Sequence, residues 1–267
     1  MVDKITVPAI RNKKRTGEKI TALTAYDYCF ARILDQAGID ILLVGDSLAC
    51  VIQGQDSTLP VTLEEMIYHT RAVVRGRKQA LVVADMPFLS YQVNVEEAKR
   101  NAGRLLQEGG AEAVKLEGGV GVVKTIEAIV KMGVPVMGHV GLTPQSIHQF
   151  GGYKIQGREK EQWDAIMADA LAVEAGGAFS VVLEGIPAEL AGEITAGLQI
   201  PTIGIGAGVK CDGQILVIHD ILGLFDKFAP KFVKRYAEIG TAVSEAAKHF
   251  IAEVQAGTFP DEEHSFR

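Results

Sequence analysis

Cysteine is scarce in this 267-residue chain: Cys29, Cys50 and Cys211 are the only three. They are odd in number, far apart and form no CxxC pair, so they suggest neither a disulfide framework nor a zinc site. The expectation for each is a small buried residue in a reducing compartment. Positive charge is also short. Lys and Arg number 27 against 33 Asp and Glu, a net charge of −6 that argues against a nucleic-acid partner. No apolar run approaches the roughly 18–20 residues needed to span a bilayer, so no membrane partner is expected. The stretch "MVDKITVPAIRNKKRTGEKI" is charged throughout and has no apolar h-region. No signal peptide is expected there, and the expected compartment is the cytoplasm. Internal repeats, low-complexity runs and linkers are absent too.

What is present is a globular composition, 48% hydrophobic and 22% charged, at a length normal for one α/β barrel. Eight short runs rich in Val, Ile and Leu read as strands: 19–25, 40–46, 80–86, 112–118, 134–141, 179–185, 200–208 and 214–220. They show little strict alternation, which suits parallel strands covered on both faces. Helical patterns lie between them. "TLEEMIYHTRAVVRG" opens with Thr62 and Glu65 in capping-box spacing. "NVEEAKRNAGRLLQEGG" repeats that device with Asn94 and Glu97, and "EKEQWDAIMADALAVEAGG" also ends in paired glycines. The longest helical stretch begins at "APKFVKRYAEIG", and "PDEEHSFR" reads as a polar tail. The expected fold class is α/β, a (β/α)8 TIM barrel, as a single domain over 1–267 with a short N-terminal extension. A doubly wound sheet is the alternative, but "ALTAYDYCFA" after the first strand carries no GxGxxG turn.

Chemistry gathers where the strands end. Asp46 ends the second strand and Ser47 follows it, and Asp85 ends the third. Lys115 and Glu117 end the fourth, the fifth reaches His139, and Glu184 ends the sixth. In a barrel these ends share one rim, where active sites are built. Convergent carboxylates repel, and a hard divalent cation relieves that repulsion. Mg²⁺ prefers oxygen ligands and few protein carboxylates, so Asp46, Asp85 and Glu117 are the candidate ligands, against local roles as helix caps or loop residues. Lys115 reads as a cation for an anionic substrate group or as a Schiff-base lysine, and equally as an ion-pair partner of Glu117. His139 fits a general acid, an oxyanion donor or a satisfied histidine. Glu184 fits a general base or a cap on the helix near Pro187. "GIGAG" (Gly204–Gly208) fits a phosphate loop or a tight turn.

Taken together, "LTAYDYCFARILDQAGID", "LLVGDSL", "TLPVTLEEMIYHTRAVVRG", "VVADMPFLSYQ", "AVKLEGG", "GHVGLTPQS", "GGYKIQGR", "VLEGIPAELA", "IPTIGIGAG", "CDGQILVIHD" and "PKFVKRYA" resemble the ketopantoate (3-methyl-2-oxobutanoate) hydroxymethyltransferase family. The resemblance spans nearly the whole chain in order. It implies a (β/α)8 barrel, Mg²⁺ dependence and a place in pantothenate biosynthesis. By motif it makes Asp46, Asp85 and Glu117 metal-site residues. Asp46, Ser47, Asp85 and Lys115 become substrate contacts, and Glu184 becomes the proton acceptor. It implies a homo-oligomer, since members are often decamers of two pentameric rings. This chain departs from the pattern at Ala49-Cys50, where Gly-Met is common, and at Leu89, where a small residue is common.

The implied reaction begins with 3-methyl-2-oxobutanoate chelating Mg²⁺, which stabilises the enolate formed when C3 loses a proton to Glu184. Lys115 and Ser47 hold the substrate, with His139 the next catalytic candidate. The enolate attacks the one-carbon unit of the co-substrate 5,10-methylenetetrahydrofolate, giving 2-dehydropantoate and tetrahydrofolate. Two readings compete. A Mg²⁺-dependent lyase or mutase of the phosphoenolpyruvate-mutase and isocitrate-lyase type would carry a KxxCG-like lid motif, and the sequence has none. A non-catalytic phosphate-binding barrel built on "GIGAG" leaves the convergent acids unexplained.

Overall fold

A strand buried on both faces must find a neighbour on each edge and a cover on each side. Eight such strands satisfy this by closing on themselves. The computed structural model describes residues 3–225 and 230–266. Its strands are β1 (Ile20–Thr24), β2 (Ile41–Val44), β3 (Leu81–Asp85), β4 (Ala113–Glu117), β5 (Val136–Gly141), β6 (Ser180–Glu184), β7 (Thr202–Ile205) and β8 (Gly213–Leu216). They pair in sequence order, all parallel, into a closed barrel. The architecture is a (β/α)8 TIM barrel.

The α-helices of the barrel unit are α1 (Val7–Thr16), α2 (Tyr28–Gln36), α3 (Leu48–Val51), α4 (Leu63–Gly76), α5 (Val95–Gln107), α6 (Val123–Lys131), α7 (Ile147–Phe150), α8 (Trp163–Ala175) and α9 (Ala188–Gly197). Helix α4 starts with the expected capping box, in which Thr62 and Glu65 bond each other's backbone N–H. At α5, Asn94 accepts the Glu97 N–H at 2.8 Å. Helix α8 comes so close to β5 that a Cβ on Gly138 would run into Val173. No helix separates β7 from β8, which are joined by residues 206–212.

Within the barrel, residues two apart share a face. The inward series starts apolar: Ile20 and Ala22, Ile41 and Leu43, Leu81 and Val83, Ala113, Met137, Val182, Ile203 and Ile215 form one buried cluster. Helix α1 closes its bottom. Ile10 is fully buried in that cluster, and Ile5 and Val7 pack against it. The N-terminal extension is therefore a helical plug, a consequence of three apolar residues on one side of a charged stretch. Its lysines anchor it: Lys13 reaches Asp40 at 2.5 Å and Lys14 reaches Asp212 at 2.8 Å. Asp40, which interrupts the apolar run before β2, is buried but also accepts the Thr21 N–H at 2.8 Å.

The described chain forms two compact units, Met1–Val217 and Ile218–Arg267. The second contains α10 (Ile218–Ile221) and α11 (Ile239–Ala256). The strand expected over 214–220 stops at Leu216, and 218–221 is helical. The helix expected from Ala229, a residue outside the described ones, begins only at Ile239. Tyr236, Ala237 and Ile239 give their N–H groups to Ile221 and Leu222 carbonyls, which removes the donors an earlier helical turn needs. Helix α11 buries no side chain and exposes Val243, Phe250, Ile251 and Val254. Among the described residues, no helix is long and apolar enough to cross a membrane. The cysteines differ from one another: Cys211 is buried as expected, Cys29 is exposed, and Cys50 lies between.

Candidate active site

At the top of the barrel the same inward series turns polar. Leu81 and Val83 are followed by Asp85, Ala113 by Lys115 and Glu117, Met137 by His139, and Val182 by Glu184. Strand register then decides who meets whom. Asp85 pairs across from Lys115, Glu117 across from His139, and Gly141 across from Glu184. Asp46 arrives one residue beyond Gly45, whose bareness matters. A Cβ there would sit 2.8 Å from Ser47 Oγ. The Asp46 N–H donates to Asp85 Oδ2 at 3.0 Å. Asp46, Asp85, Lys115, Glu117 and His139 are all at most 5% exposed.

Lys115 Nζ lies 2.9 Å from Asp85 Oδ1 and 3.2 Å from His139 Nδ1. The ion pair read along the strand, Lys115 with Glu117, is replaced by this cross-strand pair, because the parallel register sets 85 and 115 side by side. Burial opposes the charge on Lys115, but Asp85, Glu117 and Asp46 outweigh it and raise its pKa. These neighbours favour the charged ammonium over the neutral amine a Schiff base needs. Burial, then Asp85 and Glu117, push the Asp46 carboxyl well above its ordinary range. Burial likewise raises Asp85, against the pull of Lys115. Glu117 is held low: burial alone would raise it, but His139, Lys115 and the Gln145 N–H prevail.

His139 links the two halves of the site. Its Nδ1 is 3.5 Å from Glu117 Oε1, and its Nε2 is 3.1 Å from Glu184 Oε2. Burial and Lys115 oppose protonation, yet Glu117 and Glu184 push its pKa up to about 9. Glu184 does not cap the following helix: α9 has Pro187 as its N-cap, with no side-chain bond. Ser47, half-buried, meets the Tyr26 hydroxyl at 2.9 Å.

Two residues that sequence reasoning quoted only inside motifs prove central. Gln145, in the turn after β5, gives its backbone N–H to Glu117 Oε2 at 2.9 Å and its Nε2 to Asp46 Oδ2 at 2.9 Å. The Tyr91 hydroxyl donates to Gln145 Oε1 at 2.8 Å and accepts the Glu117 N–H at 3.1 Å. Both come from βα loops, where no periodicity marks the residue that turns inward. The one available signal was polarity beside "ADMPF" and "GHVG".

The donor chemistry at this rim bears on a metal ion. The three carboxylates offer only hard oxygen, are buried, and leave an excess of negative charge over Lys115. Among the described residues, no group of three or more His, Cys, Asp or Glu side chains is arranged so that it could hold a metal ion by itself. Mg²⁺ takes one or two carboxylates and fills its remaining positions with water and substrate, so it does not require such a group. In donor type, the buried oxygens of Asp46, Asp85 and Glu117 fit such an ion, with one or two of them as direct ligands.

The mouth carries further features. Tyr153 is half exposed, and its pKa is pushed up to about 12 by burial, then by Cys50, Asp46, Glu184 and Glu117. Leu89 follows "MPF" with φ 71°, the one non-glycine residue at positive φ among those described. In "GIGAG", Gly208 has φ +83° and a Cβ there would strike Ala188 of α9, so tight turning and close packing explain the glycine.

Comparison with known proteins covers the whole chain. Residues 4–262 match the family model described as ketopantoate hydroxymethyltransferase. A 3-methyl-2-oxobutanoate hydroxymethyltransferase of Pelobacter propionicus is 61% identical over 266 residues, covering 100% of this chain and 98% of its own. One of Geobacter sulfurreducens is 63% identical, covering 98% of each. Among solved structures, a phosphonopyruvate hydrolase in complex with oxalate and Mg²⁺ superposes with TM-score 0.63 at 12% identity, covering 97% of this chain and 92% of its own. A 2,3-dimethylmalate lyase of the PEP mutase/isocitrate lyase superfamily superposes with TM-score 0.59 at 18% identity, covering 97% and 91%. Identities this low speak to the fold alone.

Proposed function

The chain belongs to the ketopantoate hydroxymethyltransferase family, and from that premise we propose how its barrel mouth transfers a hydroxymethyl unit to 3-methyl-2-oxobutanoate in pantothenate biosynthesis. The balanced reaction consumes 5,10-methylenetetrahydrofolate and water and releases 2-dehydropantoate and tetrahydrofolate. Mg²⁺ held by Asp46, Asp85 and Glu117 would supply Lewis-acid stabilisation of the negative charge that develops on the 2-oxo acid's oxygens. Lys115 is the ammonium that faces the substrate carboxylate, and Ser47 positions it with Asp46 and Asp85. Glu184 takes the C3 proton. C3 forms the new C–C bond to the one-carbon unit, and a water oxygen forms its C–O bond, as both C–N bonds to the folate break. The C3 proton and one water proton end on the two folate nitrogens. His139 Nε2 orients Glu184 and shares its charge.

The observation that carries this reading is the separation of roles. Three carboxylates are engaged by Gln145, Lys115 or His139, while Glu184 stands beyond His139 with its Oε2 against Nε2. A base must remain free of the metal to move a proton, and the position of Glu184 beyond His139 supports that role. A homo-oligomer is proposed with it, supported by the exposed apolar residues of α11, and so is a cytoplasmic location.

The test is C3–H exchange of 3-methyl-2-oxobutanoate in heavy water, followed by proton NMR, with Mg²⁺ and tetrahydrofolate present or omitted. Exchange is expected for the parent protein and is slowed about 10²–10⁴-fold in Glu184→Gln. No exchange and no turnover under any condition rejects the mechanism. Parent-rate exchange in Glu184→Gln moves the base to His139.

A further inference from the structure

Gln145 spends its whole side-chain amide and its backbone N–H on the candidate active site. Its side chain is buried. The two Nε2 protons go to Asp46 Oδ2 at 2.9 Å and to the Met86 carbonyl at 3.0 Å. Its Oε1 accepts from the Tyr91 hydroxyl at 2.8 Å and from Gln92 Nε2 at 3.1 Å. The amide has one workable orientation. A carboxylate and a carbonyl can only accept, so the NH₂ end must face them. Its backbone N–H bonds Glu117 Oε2 at 2.9 Å.

One residue thus touches two of the three carboxylates, which come from β2 and β4, and the chain just beyond β3. Asp46 needs such a hold. It follows a glycine, lies beside two like charges, and among the described residues forms no ion pair of the kind Lys115 makes with Asp85. A carboxylate repelled by its neighbours swings away unless a donor fixes it. Partners that orient metal-binding side chains in this way govern affinity nearly as strongly as the ligands do.

We propose that Gln145 is a positioning residue that fixes the Asp46 carboxylate for metal binding, anchored in turn by Tyr91 and Gln92; this rests on the metal reading above. The side chain acts on Asp46, and the backbone N–H acts on Glu117. A side-chain substitution therefore removes only the first of these.

The test is calorimetric Mn²⁺ binding without substrate, on the full-length parent, Gln145→Met, Asp46→Asn and the double variant. Gln145→Met keeps the volume and loses the four amide bonds. It is expected to weaken Mn²⁺ binding about tenfold. In the double variant, the Gln145 change is expected to add less than about twofold to Asp46→Asn, the non-additivity of groups acting through one another. Activity of Gln145→Met is expected to recover to within about threefold at saturating metal, which a general packing defect would not allow. If Gln145→Met does not fold, Gln145→Asn keeps the amide and retracts it by one methylene, and about a threefold weakening is expected. Parent-like Mn²⁺ affinity in the Gln145 variants, with Asp46→Asn weakened, overturns the proposal. Fully additive losses also overturn it. Parent-like affinity in Asp46→Asn overturns the metal reading instead.

Discussion

His139 Nε2 lies 3.1 Å from Glu184 Oε2, while Lys115 Nζ lies 3.2 Å from Nδ1 on the other side of the same ring. One imidazole therefore spans the distance between the fixed ammonium and the proposed base. His139→Gln is expected to lower kcat about 10²-fold, the scale of a misplaced catalytic group, with a smaller change in KM. Steady-state kinetics checks this. An effect that adds fully to that of Glu184→Gln would place His139 in a separate role.

Asp85 is the buried carboxylate that Lys115 touches at 2.9 Å. Asp85→Asn leaves the ammonium without its nearest counter-charge. A loss of at least about 2 kcal/mol in stability is expected, together with weaker divalent-cation binding. Denaturant unfolding and calorimetry measure the two. Adding Lys115→Met is expected to restore part of the stability and none of the activity. Unchanged stability in Asp85→Asn would mean that Asp46 and Glu117 already compensate Lys115.

Leu89 sits at φ 71° on the rim and is 59% exposed. A side chain in that region costs about 1–2 kcal/mol, which glycine avoids at an entropic cost of about 0.5–1 kcal/mol. Leu89→Gly is expected to raise the melting temperature by about 1–3 °C at this chain length. A fall in melting temperature would show that the leucine side chain stabilises the loop by its contacts.

Asp35 accepts the N–H groups of Lys78, Gln79 and Ala80 at 2.9, 2.9 and 2.8 Å. Burial alone would raise its pKa, but these bonds and Arg77 hold it below the ordinary carboxylate value. A carboxyl depressed in the fold stabilises above its unfolded pKa, and that stability fades as pH falls through the folded value. Asp35→Asn is expected to be less stable than the parent at pH 6, with the gap narrowing below about pH 4. Thermal melts from pH 6 down to pH 3 read this directly. A gap independent of pH would assign the loss to geometry and not to charge.

The site was legible in the sequence to the extent that it follows from alternation. Asp85, Lys115, Glu117, His139 and Glu184 each continue an inward apolar series by steps of two, so their convergence needed only the barrel. The eight strands were legible because each is a compact apolar run. Residue identity, the period of two and the capping signals at Thr62 and Asn94 are local properties, and local properties survive in one dimension.

Tertiary structure alone decided the partners. Lys115 meets Asp85 and not Glu117, because register across β3 and β4 is set by closure of the whole barrel. The grip of Gln145 on Asp46 joins residues 99 positions apart, through a loop with no repeat to betray it. Helix α1 plugs the barrel because three apolar residues find a cluster assembled from distant strands. The start of α11 at Ile239 depends on carbonyls of Ile221 and Leu222 claiming the donors ahead of it. Each of these is a contact between segments far apart in the chain, whose geometry exists only once the chain has folded.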